Sequence, residues 1–312
     1  MRKISLIYNP AAKGQKASRQ LDRLSFLEGK CDFLTTQRTG HAMELAAQAA
    51  LNEVDCVVAV GGDGTIYEVV NGLMRSKIEK LPALAVIPSG TANVFALEHE
   101  LPWQVSDAWN AIEDGKTRLI DLIEVKEGVG PWEGEENIRY VVQLAGAGFD
   151  AASLKLVSWG LKKKVGKLAY WVAGFRALIG RHPHLTCEWE GKKLSCECAL
   201  VGNGRYYGGK HVLFPHANTE DGLLDVTFFP KLNLPTLFRI FLRFCIGGNL
   251  YLKDRYTFQT RYVSMRGEDC SFQLEGEWAG NLPVSFRIAS RKLPIIVPRQ
   301  PGEGQISKRE GH

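Results

Sequence analysis

The stretch AVGGDGTIYEVVNGL, residues 59–73, sets Asp63 among Gly61, Gly62 and Gly64, directly after an apolar run. Glycine at a strand-to-helix turn permits positive φ and lets backbone N–H groups come close to a phosphate. A carboxylate in that place has two readings. It stabilises the turn or a helix end, as Asx residues do, or it orders a nucleotide through Mg2+, because a divalent cation turns carboxylate–phosphate repulsion into a bridge. Thr65 and Glu68 stand in the capping-box relation, so the helix is expected to begin at Thr65. A second loop, PSGTAN at 88–93, brings Gly90 and a helix-capping Thr91 after the next apolar run, and the two loops could converge on one phosphate chain. Neither standard glycine fingerprint fits. No Lys-Ser/Thr pair follows as in a Walker loop, and positions 66 and 67 are Ile and Tyr where a dinucleotide site needs G-x-G-x-x-G. An oxidoreductase is therefore disfavoured.

These loops need a scaffold, and the chain supplies one. Residues 3–9 read as a buried strand, followed by the turn Asn9-Pro10, a small-residue loop to Gly14 and a helix near 17–28. The pattern repeats as strand 31–36 with helix 41–53, strand 55–60 with helix 65–75, and strand 83–87 with a helix from near Thr91. Such alternation predicts a parallel, doubly wound α/β domain, with chemistry in the loops NPAAKG, TTQRTG, GGDGT and PSGT beyond the strands' carboxyl ends. From about 118 the runs TRLIDLIEV, IRYVVQLAGAGF, LTCEWE, KLSCECALVGNG and LLDVTFF read as strands between Gly-rich turns. They predict a mostly β, sandwich-like domain with helical insertions near 151–180 and 235–248. The expected organisation is an α/β domain over 1–117, a β domain over 118–298 whose last strand could return to the first domain, and a disordered tail over 299–312.

Composition sets limits. The 312 residues carry a net charge of +5, with 45% hydrophobic and 23% charged residues, which is ordinary for a globular protein and too weakly basic to imply nucleic acid. The seven cysteines show no CxxC pair of zinc spacing and read as reduced thiols in a cytoplasmic protein, with Cys196 and Cys198 on one face of a strand. The histidines form no metal-ligand cluster. The apolar stretches 168–180 and 234–248 are broken by Arg176 and by Arg239 and Arg243, and fall short of the ~20 residues of a spanning helix. Lys162, Lys163, Lys164 and Lys167 before one stretch, and Arg239 and Arg243 within the other, suit helices lying at an anionic membrane surface; packed amphipathic helices with solvated charges are the alternative.

The residues Asn9-Pro10 with Gly14, GGDGTIYEVVNGL, PSGTANVFA, LAGAGFDA at 144–151, VGNGRYYGGK at 201–210 and DGLLDV at 221–226 resemble the diacylglycerol kinase catalytic-domain family. More narrowly, they are similar to its soluble bacterial lipid-kinase branch, related to sphingosine kinases and distantly to NAD kinases. The resemblance runs in order from residue 9 to about 280.

It implies ATP bound between the two domains, with Asn9, Pro10, Thr36, Gly61, Gly62, Asp63, Gly64, Thr65, Gly90 and Thr91 at the nucleotide, and Asp63 in the Mg2+-ATP site. It implies a structural Mg2+ on Asp221, with carbonyls near Asn218 and Leu223; by itself Asp221 also reads as a turn residue. It implies a lipid substrate and a cytoplasmic protein, with peripheral membrane contact. Family members carry an Asp-Gly-Glu triplet that serves the acceptor hydroxyl. Here the triplet is Glu275-Gly276-Glu277, so Glu277 fits and Glu275 stands in place of Asp, its carboxylate displaced by one methylene. Tyr67 and Val94 replace Asn and Asp of many relatives. Two alternatives stay open: a kinase of a soluble hydroxyl such as the ribose of NAD, and a nucleotide- or lipid-binding regulator without turnover. Oligomeric state has no signature in the sequence.

Overall fold

The computed structural model describes residues 2–10, 23–130, 132, 137–156, 183–245 and 255–299. Gly14, most of the helix expected over 17–28, the lysines at 162–167 and residues 300–312 lie outside them. The chain divides into two units, one of residues 1–120 and 292–312, the other of 121–291.

The first unit is a six-stranded sheet. Its strands are β1 (Ile4–Tyr8), β2 (Asp32–Thr35), β3 (Cys56–Gly61), β4 (Ala83–Pro88), β5 (Lys116–Ile120) and, from the far end of the chain, β20 (Leu293–Val297). They lie in the order β2-β1-β3-β4-β20-β5. The first four run parallel, β20 is parallel to β4, and β5 closes the edge antiparallel. The runs ISLIY, CVVAVG and LAVIP are buried throughout, as parallel strands covered on both faces must be. Among the described residues, four α-helices connect the strands: α1 (His41–Leu51), α2 (Asp63–Arg75), α3 (Val94–Glu98) and α4 (Val105–Asp114). Leu6, Tyr8, Val58, Ile87, Trp109 and Ile112 share one core beneath the sheet. Gly72 lets α2 lie against α1, since a Cβ there would collide with the Met43 carbonyl.

The second unit holds two antiparallel six-stranded sheets. In chain order its strands are β6 (Ile123–Glu127), β7 (Arg139–Val141), β8 (Leu144–Gly148), β9 (Leu185–Trp189), β10 (Lys192–Cys196), β11 (Cys198–Gly202), β12 (Tyr206–Tyr207) and β13 (His211–Val212). They continue with β14 (Leu224–Phe229), β15 (Tyr256–Thr260), β16 (Tyr262–Arg266), β17 (Ser271–Leu274), β18 (Glu277–Asn281) and β19 (Val284–Ile288). One sheet is β10-β9-β16-β19-β6-β7 and the other β15-β14-β11-β8-β17-β18, with β12 and β13 a small ribbon apart. Trp189 of the first stacks on Phe258 of the second at 4.2 Å between centroids, and Phe228 closes the trio at 5.1 Å from Phe258, so aromatic faces join the sheets into a sandwich. Helix α5 (Phe149–Leu156) follows β8, and α6 (Leu234–Cys245) follows β14.

Cys196 and Cys198 do not share a strand face. Cys196 ends β10 in one sheet and Cys198 begins β11 in the other. Glu197 makes the change of sheet and accepts the Leu232 N–H at 2.7 Å. Cys187, Cys196 and Cys198 are buried thiols.

Candidate active site

In the first unit the chain runs outward in both directions from between β1 and β3, which makes that point the topological switch of the sheet. Asn9 and Pro10 leave β1 there, and Asn9 Nδ2 donates to Thr65 Oγ1 at 3.5 Å. Thr36, buried at the end of β2, donates its N–H to the Tyr8 carbonyl at 2.9 Å. The glycine loops of β3 and β4 abut. Ser89 N–H donates to the Gly61 carbonyl at 2.8 Å, and a Cβ on Gly90 would stand 2.5 Å from Gly62 Cα. Gly61 is required because the Thr65 side chain covers it, whereas Gly64 faces open space.

Two expected caps are corrected. Helix α2 starts at Asp63 with Gly62 as its N-cap, and no side chain closes it. Thr65 is not a cap, and Glu68 reaches across to α1, where its carboxylate accepts the N–H groups of Gly40 at 2.9 Å and Ala42 at 3.1 Å. Thr91 is exposed and caps nothing: α3 begins only at Val94, after Asn93 in the left-handed region. Asn93, buried and unremarked in the sequence, ties the loop by accepting Gly90 N–H at 2.8 Å and donating to the Gly90 carbonyl at 3.0 Å. Asp63 points to α3 and accepts the Phe95 N–H at 3.1 Å. Burial pushes its carboxyl above the ordinary range, against backbone N–H donors from Phe95, Val94, Asp63 itself and Asn93. The two carboxylates of α2 therefore close the N-termini of its two neighbouring helices.

In the second unit, Glu275 and Gly276 form the two-residue turn between β17 and β18, with Leu274 paired to Glu277. Both turn residues have positive φ, 51° and 81°, as a type I′ hairpin requires. The longer arm of Glu275 is used: its Oε1 accepts Val142 N–H at 2.7 Å and Gln143 N–H at 2.9 Å, and its own N–H donates to the Leu144 carbonyl. Glu277 opens β18 and is exposed.

The Asp221 turn lies elsewhere in this unit. Asp221 Oδ1 accepts Leu223 N–H at 3.0 Å, Asn218 Oδ1 accepts Glu220 N–H at 3.1 Å, and Gly222 N–H donates to the buried Asp121 at 2.7 Å. No motif marks Asp121, although a lone Asp in the apolar run LIDLI signals a satisfied buried carboxylate. Asp225 stands beside this turn with its carboxyl pushed up to about 6, chiefly by burial, with Asp221's charge adding to the rise. These are hard oxygen donors of the kind Mg2+ takes. Among the described residues no cluster of three or more His, Cys, Asp or Glu side chains is placed to hold a metal.

The first unit thus presents paired glycine loops at a switch point, and the second a glutamate-bearing hairpin on a β-sandwich. Residues 3–125 match the family described as Diacylglycerol kinase catalytic domain, and residues 143–297 match the YegS C-terminal NAD kinase beta sandwich-like domain. The chain is 30% identical over 314 residues to the diacylglycerol kinase of Bacillus subtilis, covering 97% of this chain and 99% of that one. It is 29% identical to the diacylglycerol kinase of Staphylococcus aureus over 94% and 91% of the two chains. The fold is also that of a diacylglycerol kinase crystal structure from Bacillus anthracis, with a TM-score of 0.69 at 20% identity over 95% of this chain and 97% of that chain. The chain belongs to the diacylglycerol kinase family.

Proposed function

We propose that the chain transfers the γ-phosphoryl group of ATP to the hydroxyl of a lipid alcohol, with diacylglycerol as the acceptor class that its relatives' names supply. The observation that carries this reading is the pair of glycine loops packed glycine against glycine beside the switch point. Glycines packed this closely, with Gly64 facing open space, let a polyphosphate approach the backbone at the start of α2, and phosphoryl transfer asks the protein mainly for alignment and charge neutralisation.

In this reading Asn9, Pro10, Thr36, Gly61 to Thr65, Gly90 and Thr91 line the nucleotide site. Asp63 acts on the loops, since its hold on the start of α3 keeps Gly90 opposite Gly62. When bound, Mg2+ would supply charge neutralisation at the phosphates, and a structural Mg2+ would be held by the Asp221 carboxylate with the carbonyls of Asn218 and Leu223. Glu277 accepts the proton of the acceptor hydroxyl, and Glu275 holds the hairpin that presents it.

A lipid acceptor resides in a bilayer, and α6 suits docking to one. Leu237 and Ile240 pack into the core beneath it, while Leu234, Phe238 and Leu242 form an exposed stripe at helical spacing, 58%, 52% and 46% accessible. Exposed Arg239 and Arg243 flank the stripe, and residues 234–245 contain no acidic side chain. Apolar anchors bordered by guanidinium groups match an anionic bilayer.

The test is label transfer from γ-labelled ATP to diacylglycerol in mixed micelles and, separately, to NAD without lipid. We expect lipid labelling by the wild type and its loss, by a factor of about 10² or more, in Glu277→Ala. Labelling of NAD alone, or of neither acceptor, overturns the reading.

A further inference from the structure

Two sequence segments with no assigned chemistry, LAGAGFDA and GRYYGG, meet the β17–β18 hairpin inside the second unit. Tyr207 Oη donates to Asp150 Oδ1 at 2.6 Å. Gln273 Nε2 donates to Asp150 Oδ2 at 3.0 Å, and Gln273 Oε1 accepts the Gly276 N–H at 2.8 Å. Gln273 is fully buried. Gly146 on β8 keeps the space open, since a Cβ there would stand 3.1 Å from both Asp150 Oδ2 and Gln273 Nε2.

The polarity of this chain runs one way. A carboxylate only accepts, so Asp150 compels Gln273 to present its NH2 end inward, which leaves the carbonyl end for Gly276. A flipped amide would set NH2 against the Gly276 N–H and the centre of the hairpin would lose its acceptor. The hairpin needs that hold, because its first residue is a glutamate at φ 51°, a conformation such side chains seldom adopt.

We infer that Asp150 is a positioning residue for the phosphoryl-transfer step: through Gln273 it fixes Gly276, and with it the hairpin that presents Glu277. The role of Glu277 rests on the lipid-kinase reading above; the relay itself rests on the hydrogen bonds. Burial raises the Asp150 carboxyl above its ordinary range, while the Tyr207 and Gln273 hydrogen bonds favour its charged, accepting form.

Three variants of the full chain test the relay. Asp150→Asn still accepts from Tyr207 but sets an NH2 against Gln273, and Gln273→Glu sets two carboxylates face to face. In the double variant Asp150→Asn/Gln273→Glu, the new amide at 150 donates to the new carboxylate at 273, which still accepts from Gly276. We expect amide exchange at Gly276 to quicken at least about tenfold in each single variant, and kcat for lipid phosphorylation to fall by about 10², the cost of a misplacement near 1 Å, with KM for ATP unchanged. The double variant returns both to within a few-fold of wild type. Unchanged Gly276 exchange in the single variants overturns the inference. So does a double variant as impaired as either single, or faster exchange with kcat intact. A wild type inert toward lipid sinks the lipid-kinase reading instead, and the relay then stands or falls on the Gly276 exchange pattern alone.

Discussion

At the scale of single residues, the acidic side chains of this molecule are used more for holding than their types suggest. Asp63, Glu68 and Glu275 all accept backbone N–H groups from other segments, and Asp150 orients an amide. Glu275 shows why its type was hard to weigh from sequence. An added methylene looks like a displaced catalytic group, yet the same methylene lets the carboxylate span from a left-handed turn position to two buried amides at 142 and 143.

Asp150 supplies a test by pH. Its folded pKa lies above the ordinary 3.8, so ionisation of the folded protein is penalised. The penalty is absent below the unfolded value, grows as pH rises from there, and is complete above the folded pKa. Cys198 on β11, Glu277 on β18, and Tyr206 and Tyr207 on β12 are the titratable groups on the strands around it, and β8 and β17 carry none. The unfolding free energy of wild type minus that of Asp150→Asn should therefore rise as pH falls from neutral toward 4. Its steepest slope is bounded by about 1.4 kcal/mol per pH unit, the limit for one proton. Urea denaturation across that range measures it, and a flat difference contradicts the assignment.

At the scale of elements, α2 and α6 carry the most consequence. Helix α2 gives Asp63 to α3 and Glu68 to α1. The pattern Thr65-x-x-Glu68 matched a local cap, but the tertiary fold used the glutamate elsewhere, and no local rule reports where a neighbouring helix begins. Strands β1, β3 and β4 were legible because burial on both faces leaves unbroken apolar runs. The glycine loops were legible for the same local reason, whereas Asn93, Asp121, Asp150 and Gln273 gain their roles only from partners distant in the chain or from an unpredicted left-handed turn.

For α6 the sequence allows two readings, and the membrane face proposed above rests on the exposed stripe beside two arginines. Each guanidinium near an anionic surface contributes about 1 kcal/mol. Arg239→Gln/Arg243→Gln should thus weaken binding to phosphatidylglycerol vesicles by roughly thirtyfold, with neutral vesicles little affected. Co-sedimentation measures both, and unchanged binding removes α6 from the interface.

At the scale of the whole molecule, the chain completes its first unit last. Strand β20 lies between β4 and β5, pairs with β5 through all five of its residues, and is β5's sole strand neighbour among the described residues. Leu293, Ile295, Ile296 and Val297 are buried there, and Ile296 belongs to the core that holds Trp109 and Ile112. Burying such side chains contributes about 1.5–3 kcal/mol each, so removing all four costs roughly 6–12 kcal/mol, comparable with the entire stability of a typical domain. A chain ended at Arg291 should then lose ATP binding by calorimetry, while its second unit, contiguous over 121–291, survives limited proteolysis as a fragment. A chain ended at Arg299 keeps β20 and serves as the control, with ATP affinity expected at the wild-type level. ATP bound at wild-type affinity by the shorter chain would show that the glycine loops do not depend on the returning strand, and that the first 120 residues hold their fold alone.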